Sequence, residues 1–127
     1  MKNLNVLSLF DGMSCGQLAI SQLGFTYNYY ASEIDKHAMQ VTQANFPNTI
    51  QLGSVEHWQL WEIDFASIGL LIGGSPCQGF SFAGKQLNFD DPRSKLFFVY
   101  VDILNYIRSV NPNVKFLLEN VKIRFLY

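Results

Sequence analysis

The sequence predicts an α/β protein with a mostly parallel sheet. Short apolar runs that end at turn signals alternate along the chain with segments that carry helix signals. The connections between successive runs are of helical length, which favours parallel strands joined by right-handed crossovers. The chain has 127 residues, enough for one domain or part of one. This pattern leaves the order of the strands open.

The first unit is a strand, a glycine turn and a helix. Residues 6–10 form an apolar run that ends at Asp11 and Gly12, a turn signal. Ser14 and Gln17 fit a capping box at the start of a helix, which Gly24 would end. The apolar face of this helix is predicted at Leu18, Ala19, Ile20 and Leu23.

The second unit is less regular. Residues 27–32 predict a tyrosine-rich strand, and Asp35 is the predicted N-cap of a helix that ends near Pro47. One side of that helix is predicted at Ala38, Val41, Thr42 and Asn45. Residues 49–53 predict a short third strand. Residues 55–66 stay ambiguous, although two tryptophans stand three positions apart there, as on a helix.

The last two predicted strands enclose the longest predicted helix. Residues 68–72 predict a fully buried strand, and residues 82–90 predict a loop. Asp91 or Ser94 would cap the long helix, and a fifth strand is predicted at residues 114–118. The apolar stripe of the helix is predicted at Phe97, Val101, Leu104 and Arg108.

Composition restricts the class of protein. The chain is 49% apolar and 15% charged, which excludes a disordered tail. Its net charge of −1 shows no basic patch, so DNA binding by the chain alone is expected to be weak. The two cysteines lack metal-ligand spacing and are expected to be reduced, with no metal bound. No secretory signal or membrane span is evident, which predicts a cytoplasmic protein.

A cysteine stands on a stiffened turn after the fourth predicted strand. Gly73 and Gly74 allow a sharp turn there, and Pro76 restricts the backbone next to Cys77. Ligands of open α/β sheets bind just beyond the carboxyl ends of the strands, where this turn falls. Cys77 is therefore a candidate nucleophile, and the alternative is a loop cysteine without chemistry.

Glu119 follows the fifth predicted strand as Cys77 follows the fourth. Consecutive strands of a βαβ unit are often neighbours, and neighbouring strands lie about 5 Å apart. We therefore expect the two side chains to converge on one small substrate. Without Cys77, the preferred interpretation of Glu119 would be a strand-end carboxylate with satisfied hydrogen bonds.

The turn between the first strand and helix, residues 10–16, is a second candidate site. Backbone N–H groups and a helix end approach a ligand there, although the G-x-G-x-x-G pattern of dinucleotide sites is absent. Glu33 lies about 20 residues further on, where a carboxylate can bind ribose hydroxyls. Together these features favour an adenosine-type ligand. Taken singly, Asp11 is equally a helix-cap residue and Glu33 a solvated strand end.

Over nearly its whole length the chain resembles the N-terminal part of a DNA cytosine-5 methyltransferase. The resemblance rests on five segments in the family's order: Phe10-Asp11-Gly12, Glu33-Ile34, Pro76-Cys77-Gln78, residues 91–98 and Glu119-Asn120-Val121. Pro-Cys-Gln alone would be a weak signal, whereas the ordered set is specific. The resemblance implies a Rossmann-like, S-adenosylmethionine-dependent methyltransferase fold, incomplete here with about five strands.

The resemblance also implies an activity. A methyl group would pass from S-adenosylmethionine to C5 of a flipped-out cytosine in DNA, while Cys77 is bonded to C6 and Glu119 assists at N3. The implied cofactor-binding residues are Phe10, Asp11, Gly12, Met13, Glu33, Ile34, Ser54, Val55, Pro76 and Leu96. The implied DNA contacts are Ser81, Lys85 and Arg93, with solvated loop charges as the alternative.

The sequence departs from the family pattern in two places. Ser54 stands where the family usually has an aspartate that bonds the adenine amino group, so weakened cofactor affinity is expected. After Glu119-Asn120-Val121 only residues 122–127 follow, and the family's further catalytic strand, target-recognition domain and final helix have no counterpart. Residues 1–127 are then the N-terminal part of a catalytic domain, and the fifth strand becomes an exposed apolar edge.

Three interpretations follow. In the first, the chain is the catalytic part of a split or truncated cytosine-5 methyltransferase and needs a complementing C-terminal polypeptide. In the second, it is a non-catalytic module that binds S-adenosylmethionine, or a partner through the exposed edge. In the third, Cys77 and Glu119 serve another thiol-dependent reaction on a small nucleotide, which the ordered motifs disfavour.

Overall fold

A five-stranded parallel sheet organises the protein. The structure is a computed structural model that describes residues 3–74 and 95–119. The strands are β1 (Leu4–Leu9), β2 (Tyr27–Ser32), β3 (Ile50–Gln51), β4 (Leu70–Gly73) and β5 (Lys115–Leu118). They lie in the order β3-β2-β1-β4-β5, and each neighbouring pair is parallel. The predicted α/β class is confirmed. The structure also gives the strand order, which the sequence pattern did not predict.

Three α-helices connect the strands within the described part of the chain. They are α1 (Cys15–Gln22), α2 (Lys36–Asn45) and α3 (Lys95–Val110). The ambiguous segment between β3 and β4 contains two 3₁₀ helices, Val55–Leu60 and Phe65–Ser67. Within residues 3–74 and 95–119, no helix has the length and apolar character needed to cross a membrane.

β1 is the central strand and pairs with two neighbours. Its whole length pairs with Tyr27–Ser32 of β2, and its last four residues pair with β4. From β1 the chain crosses to β2 and β3 on one side, and from β4 it crosses to β5 on the other. The crossovers thus reverse direction between β1 and β4. Ligands of open α/β sheets bind at such a switch point, beyond the carboxyl ends of the strands.

The two faces of the sheet pack against different helices. The larger core joins the sheet to α3, and its buried members include Leu7, Leu9, Leu71, Tyr100, Ile103 and Ile107. The smaller core lies on the opposite face, toward α1, and consists of Val6, Ile20, Tyr29 and Ala31. Burying a large apolar side chain of this kind stabilises a fold by about 1.5–3 kcal/mol. The sheet is therefore held from both sides.

The predicted capping box of α1 is wrong. Ser14 precedes the helix with a left-handed φ of 66° and makes no side-chain cap bond. Its hydroxyl donates to the carboxylate of Asp11 instead. Gln17 is buried, and its amide donates to Thr49 Oγ1 at 2.9 Å. Ser14 thus bonds a residue of its own turn, whereas Gln17, which also donates to Ser14 Oγ at 3.5 Å, has a partner that is distant in sequence.

The apolar face predicted for α1 is only partly right. Ile20 is buried, but Leu18 and Leu23 are exposed. The helix is short and places the amide of Gln17 toward the sheet, where hydrogen-bond partners are available. Gly24 follows the helix with a φ of 80°, which confirms it as the terminating glycine.

The predicted N-cap of α2 is confirmed. The Asp35 carboxylate accepts hydrogen bonds from the backbone N–H groups of His37 and Ala38. Thr42, on the predicted side of the helix, is fully buried, whereas Val41 is exposed. The local sequence is enough to predict a capping residue. It is not enough to predict which residues of this short helix are buried.

The stripe predicted for α3 is wrong. The buried residues are Tyr100, Ile103 and Ile107, none of which was in the predicted stripe. Leu104, which was, is partly buried against the same core. Because α3 is apolar on more than one side, several stripes fit its periodicity, and packing against the sheet selects one of them.

Candidate active site

The turn between β1 and α1 has an unusual backbone. Phe10, Gly12 and Ser14 all have left-handed φ angles, of 55°, 62° and 66°. Glycine adopts this region freely, but a residue with a Cβ does so at a cost of roughly 1–2 kcal/mol. Strained turns of this kind cluster at binding sites, where surrounding contacts hold them.

Three hydroxyl groups donate hydrogen bonds to the side chain of Asp11, the acidic residue of this turn. Asp11 Oδ1 accepts hydrogen bonds from Ser8 Oγ and Tyr29 Oη, each at 2.7 Å, and Oδ2 accepts one from Ser14 Oγ. The Asp11 N–H donates to the carbonyl of Ser32 at 3.1 Å. Burial, and then the negative charge of Asp11, raise the pKa of Tyr29 above its ordinary value. The phenol therefore stays protonated and acts as a donor at neutral pH.

Glu33 closes the other side of the turn. Its Oε1 accepts a hydrogen bond from the Gly12 N–H at 2.7 Å. Its Oε2 accepts from the N–H groups of Ile34 and Asp35, both at 2.9 Å. An ionised carboxylate has about four acceptor positions, so one is left for a ligand hydroxyl.

A cavity of about 250 Å³, the Glu33 cavity, opens beside this carboxylate. It is lined by Phe10, Ser32, Glu33, Ile34, Val55, Glu56 and Leu96. Most of its walls are apolar side chains, and Glu33 supplies a carboxylate at one side. Glu56 supplies a second carboxylate, whose Oε1 lies 3.7 Å from Lys95 Nζ. An apolar slot with a carboxylate acceptor suits a flat ring attached to a hydroxylated sugar.

A second cavity of about 190 Å³, the Glu119 cavity, lies at the carboxyl ends of β1, β4 and β5. Asp11, Gly74 and Glu119 are among its lining residues, and Phe10 lines both cavities. The two cavities therefore share one lining residue at the switch point of the sheet.

Glu119 packs tightly against the end of β4. Its N–H donates to the carbonyl of Gly73 at 2.8 Å. A Cβ added at Gly74 would lie 3.3 Å from the Cβ of Glu119, so glycine allows the two segments to approach closely. At Gly73 an added Cβ would lie 2.6 Å from the carbonyl oxygen of Leu9. Both glycines predicted to form a turn also serve close packing.

The structure brings together half of the predicted cofactor residues in one cavity. These are Phe10, Glu33, Ile34, Val55 and Leu96. Gly12 contacts the same site through its hydrogen bond to Glu33. Asp11 lines the adjoining cavity, so the turn contributes to both.

Two predicted residues lie apart from these cavities. Met13 is 58% exposed and belongs to the lining of neither. Ser54 Oγ accepts a hydrogen bond from the Glu56 N–H at 3.2 Å and caps the first 3₁₀ helix. A hydroxyl oxygen has two lone pairs, so this bond leaves one available to a ligand.

The remaining predicted residues fall outside the described part of the chain. Pro76 and Cys77, and the predicted DNA contacts Ser81, Lys85 and Arg93, belong to this group. The predicted helix caps Asp91 and Ser94 belong to it as well. Within residues 3–74 and 95–119, no group of three or more His, Cys, Asp or Glu side chains is placed to hold a metal ion.

Sequence reasoning missed four residues of the site. Ser8 and Tyr29 bind the Asp11 carboxylate, and Ser32 and Glu56 line the Glu33 cavity. Ser8 interrupts an otherwise apolar stretch close to the end of its strand, and that interruption is a usable signal. Ser32 ends β2 directly before Glu33 and interrupts no apolar stretch. Tyr29 gives no such signal, because tyrosine is common in strands.

The family of the chain is established by comparison. A family model described as C-5 cytosine-specific DNA methylase matches residues 4–123. The chain belongs to this family. The suspected relationship is thereby confirmed over almost the whole sequence.

Bacterial and phage methyltransferases are among the similar proteins. The type II methyltransferase M1.ScrFI of Lactococcus lactis subsp. cremoris is 40% identical over 120 residues, which cover 92% of this chain and 28% of the relative. The orphan methyltransferase M.Rho11sI of Bacillus phage rho11s is 38% identical over 125 residues, 96% of this chain and 24% of the relative. The chain thus spans about a quarter of the length of these curated relatives.

Solved structures of Dnmt2 proteins share the fold. A mutant of Spodoptera frugiperda Dnmt2 matches with a TM-score of 0.62 and 27% identity, over 94% of this chain and 36% of that one. The S. pombe Dnmt2 methyltransferase matches with a TM-score of 0.65 and 19% identity, over 95% of this chain and 35% of that one. The predicted Rossmann-like methyltransferase fold is confirmed.

Proposed function

We propose that the chain carries the catalytic part of a DNA cytosine-5 methyltransferase that uses S-adenosylmethionine. The observation that carries this proposal is the Glu33 cavity, in which five predicted cofactor residues from separate segments meet. It adjoins a second cavity that contains Glu119, the predicted catalytic acid. A donor site next to an acceptor site is the arrangement that group transfer between two molecules requires.

The residues of the Glu33 cavity fit the methyl donor. Phe10, Ile34, Val55 and Leu96 offer apolar surfaces to an adenine ring, and Glu33 keeps one acceptor position for a ribose hydroxyl. S-adenosylmethionine, when bound, supplies an electrophilic methyl group on its sulfonium sulfur. The chain's own contribution is to bind the adenosine part and to orient it toward the Glu119 cavity.

The convergence of Cys77 and Glu119 is supported by the strand order. β4 and β5 are neighbours, and Gly74 at the end of β4 packs against Glu119. Cys77 follows Gly74 by three residues, which span at most about 10 Å. This short tether supports the proposal that the Cys77 thiol and the Glu119 carboxyl group act on one substrate.

The proposed reaction takes place on a cytosine flipped out of the duplex, since C5 and C6 are unreachable in the stack. Cys77 Sγ forms a bond to C6, while Glu119 stabilises the added electron density by hydrogen bonding at N3. C5 then takes the methyl group, and the donor leaves as S-adenosylhomocysteine. Loss of the C5 proton to a base and cleavage of the Sγ–C6 bond give 5-methylcytosine and the free thiolate.

DNA and a complementing polypeptide are the proposed partners. The chain spans about a quarter of its curated relatives, and its net charge is −1, so little of its own surface suits phosphates. Ser81, Lys85 and Arg93 remain predicted DNA contacts. We place the protein in the cytoplasm, where both S-adenosylmethionine and DNA are available in bacteria.

The reconstitution test uses the purified chain, labelled S-adenosylmethionine and cytosine-containing DNA. A polypeptide corresponding to the C-terminal part of a related methyltransferase is added in one arm and omitted in the other. We expect methyl transfer with the complement and little without it. Cofactor binding with no transfer in either arm would favour a non-catalytic binding module, and absence of binding would refute both interpretations.

The nucleophile test uses DNA that contains 5-fluorocytosine, from which the C5 substituent cannot leave. In the complemented reaction, we expect a covalent adduct with the wild-type chain and none with Cys77→Ser. Cys15→Ser replaces the other cysteine of the sequence, which lines the Glu119 cavity, and is expected to retain the adduct. An adduct that persists in Cys77→Ser and disappears in Cys15→Ser would show that Cys15 attacks the cytosine and that Cys77 does not.

A further inference from the structure

The Asp11 carboxylate has three hydroxyl partners that the proposed reaction does not use. Ser8, Ser14 and Tyr29 are all nearly inaccessible to solvent, at 3%, 1% and 2% exposure. Ser8 and Tyr29 share the acceptor Oδ1, each at 2.7 Å. They belong to different strands, so the carboxylate ties the end of β1 to the middle of β2.

This cluster sits under the left-handed turn. Asp11 lies between Phe10 and Gly12, and its carbonyl accepts a hydrogen bond from the Ser14 N–H at 3.2 Å. Hydrogen bonds to an ionised carboxylate are about twice as strong as neutral ones. The three hydroxyls therefore hold a backbone conformation that Phe10 and Ser14 would otherwise avoid.

The turn between β1 and α1 contacts the Glu33 cavity and so determines the position of the residues proposed to bind the methyl donor. Gly12 donates its N–H to Glu33 Oε1 at 2.7 Å, and its carbonyl accepts a hydrogen bond from Thr42 Oγ1 at 3.4 Å. Phe10 lines the same cavity as Glu33. A change in the Asp11 carboxylate would therefore move Phe10 and Gly12, one on each side of it, relative to Glu33.

We propose that Tyr29 and Ser8 are positioning residues for the methyl donor, because through Asp11 their hydroxyl groups fix the turn that places Gly12 and Phe10 at the Glu33 cavity. Neither Tyr29 nor Ser8 lines that cavity. The proposal rests on the proposed function, since the ligand is S-adenosylmethionine. It adds two residues outside the Glu33 cavity that determine the affinity for the ligand, and one of them, Ser8, lines the adjoining Glu119 cavity.

The test compares Tyr29→Phe with Tyr27→Phe in the full chain. Tyr27 lies two residues earlier on β2. Its ring packs edge-on against the ring of Tyr29, with 6.2 Å between the ring centroids. Its hydroxyl donates to Gln17 Oε1 at 3.2 Å instead of to Asp11. Both variants therefore lose one hydroxyl group and one hydrogen bond on the same face of the sheet, and only Tyr29→Phe removes a hydrogen bond to the Asp11 carboxylate.

Two measurements decide the matter, the Kd for S-adenosylmethionine and the hydrogen-exchange rate of the Gly12 amide. In Tyr29→Phe we expect the Kd to rise roughly tenfold, as the loss of one hydrogen bond to a charged group allows, and the exchange to become at least about fivefold faster. In Tyr27→Phe both should stay within about twofold of wild type. Equal values in the two variants would overturn the proposal.

Ser8→Ala provides a second route should Tyr29→Phe fail to fold. It removes the other hydroxyl on Oδ1 with little change in volume, and we expect a smaller change in the same direction. If the wild-type chain binds S-adenosylmethionine and neither variant differs from it, this proposal falls and the proposed function stands. If the wild-type chain does not bind at all, the proposed function fails, and the Gly12 exchange rates alone decide whether the hydroxyls fix the turn.

Discussion

At the scale of single residues, Glu33 joins two segments that are distant in sequence. Its carboxylate accepts one N–H group from the β1–α1 turn and two from the chain that follows β2. All three bonds are 2.9 Å or shorter, as expected when the acceptor is ionised. The residue predicted to bind ribose therefore also has a structural task.

Replacing Glu33 tests both tasks. In Glu33→Gln one oxygen becomes an amide nitrogen, so at least one of the three N–H groups loses its acceptor. We expect the free energy of unfolding to fall by about 1–3 kcal/mol and the affinity for S-adenosylmethionine to fall with it. Urea titration and calorimetric binding measure the two effects.

Glu62→Gln is the matched control for Glu33→Gln. Glu62 is exposed, so the same change of charge should alter stability by no more than about 0.5 kcal/mol. Equal effects at the two positions would show that the charge of the carboxylate matters and that its hydrogen bonds do not.

At the scale of elements, α3 fastens β5 to the rest of the sheet. Tyr100, nearly fully buried in the α3 core, donates its hydroxyl to the carbonyl of Leu117 at 3.1 Å. Burial raises the pKa of Tyr100 to about 12. The sequence pattern placed the α3 stripe elsewhere, so this link could only be found from the packing of helix on sheet.

The raised pKa of Tyr100 makes stability depend on pH in the alkaline range. Above pH 10 the phenol loses its proton in the unfolded chain but keeps it in the folded chain until about pH 12. The folded state then binds more protons, so the free energy of unfolding falls as pH rises, by at most about 1.4 kcal/mol per pH unit from this group. Below pH 10 its contribution is fully present and constant.

Tyr100→Phe should make this alkaline decline shallower between pH 10 and pH 12, at the expense of the hydrogen bond to Leu117. The decline should not vanish, because burial also raises the pKa of Tyr29. Urea titrations at several pH values between 9 and 12 measure it. An unchanged slope in the variant would mean that Tyr100 ionises alike in both states.

At the scale of the whole molecule, β5 is the outermost strand on its side of the sheet formed by the described residues. Its side chains Phe116 and Leu117 are 51% and 65% exposed. Edge strands with exposed apolar side chains pair with other chains unless something covers them. The exposed apolar edge expected from the sequence is thus observed, and it suits either a complementing polypeptide or unwanted association.

Phe116→Lys tests the edge. A charged side chain there should suppress concentration-dependent association of the chain and also weaken capture of a complementing polypeptide. Leu60→Lys is the control, because Leu60 is 79% exposed but belongs to a 3₁₀ helix without a free strand edge. Sedimentation velocity over a range of concentrations measures association, and equal behaviour of both variants would rule out the edge as its cause.

The sequence by itself determined the α/β class, the span of β2, the Asp35 cap and the family to which the chain belongs. Each of these depends on local signals: apolar runs, turn residues, a capping carboxylate and motifs in order. Tertiary structure decided the strand order, the buried stripe of α3 and the bond of Gln17 to Thr49. These depend on which surfaces meet across the sheet, and the same local pattern is compatible with several such arrangements.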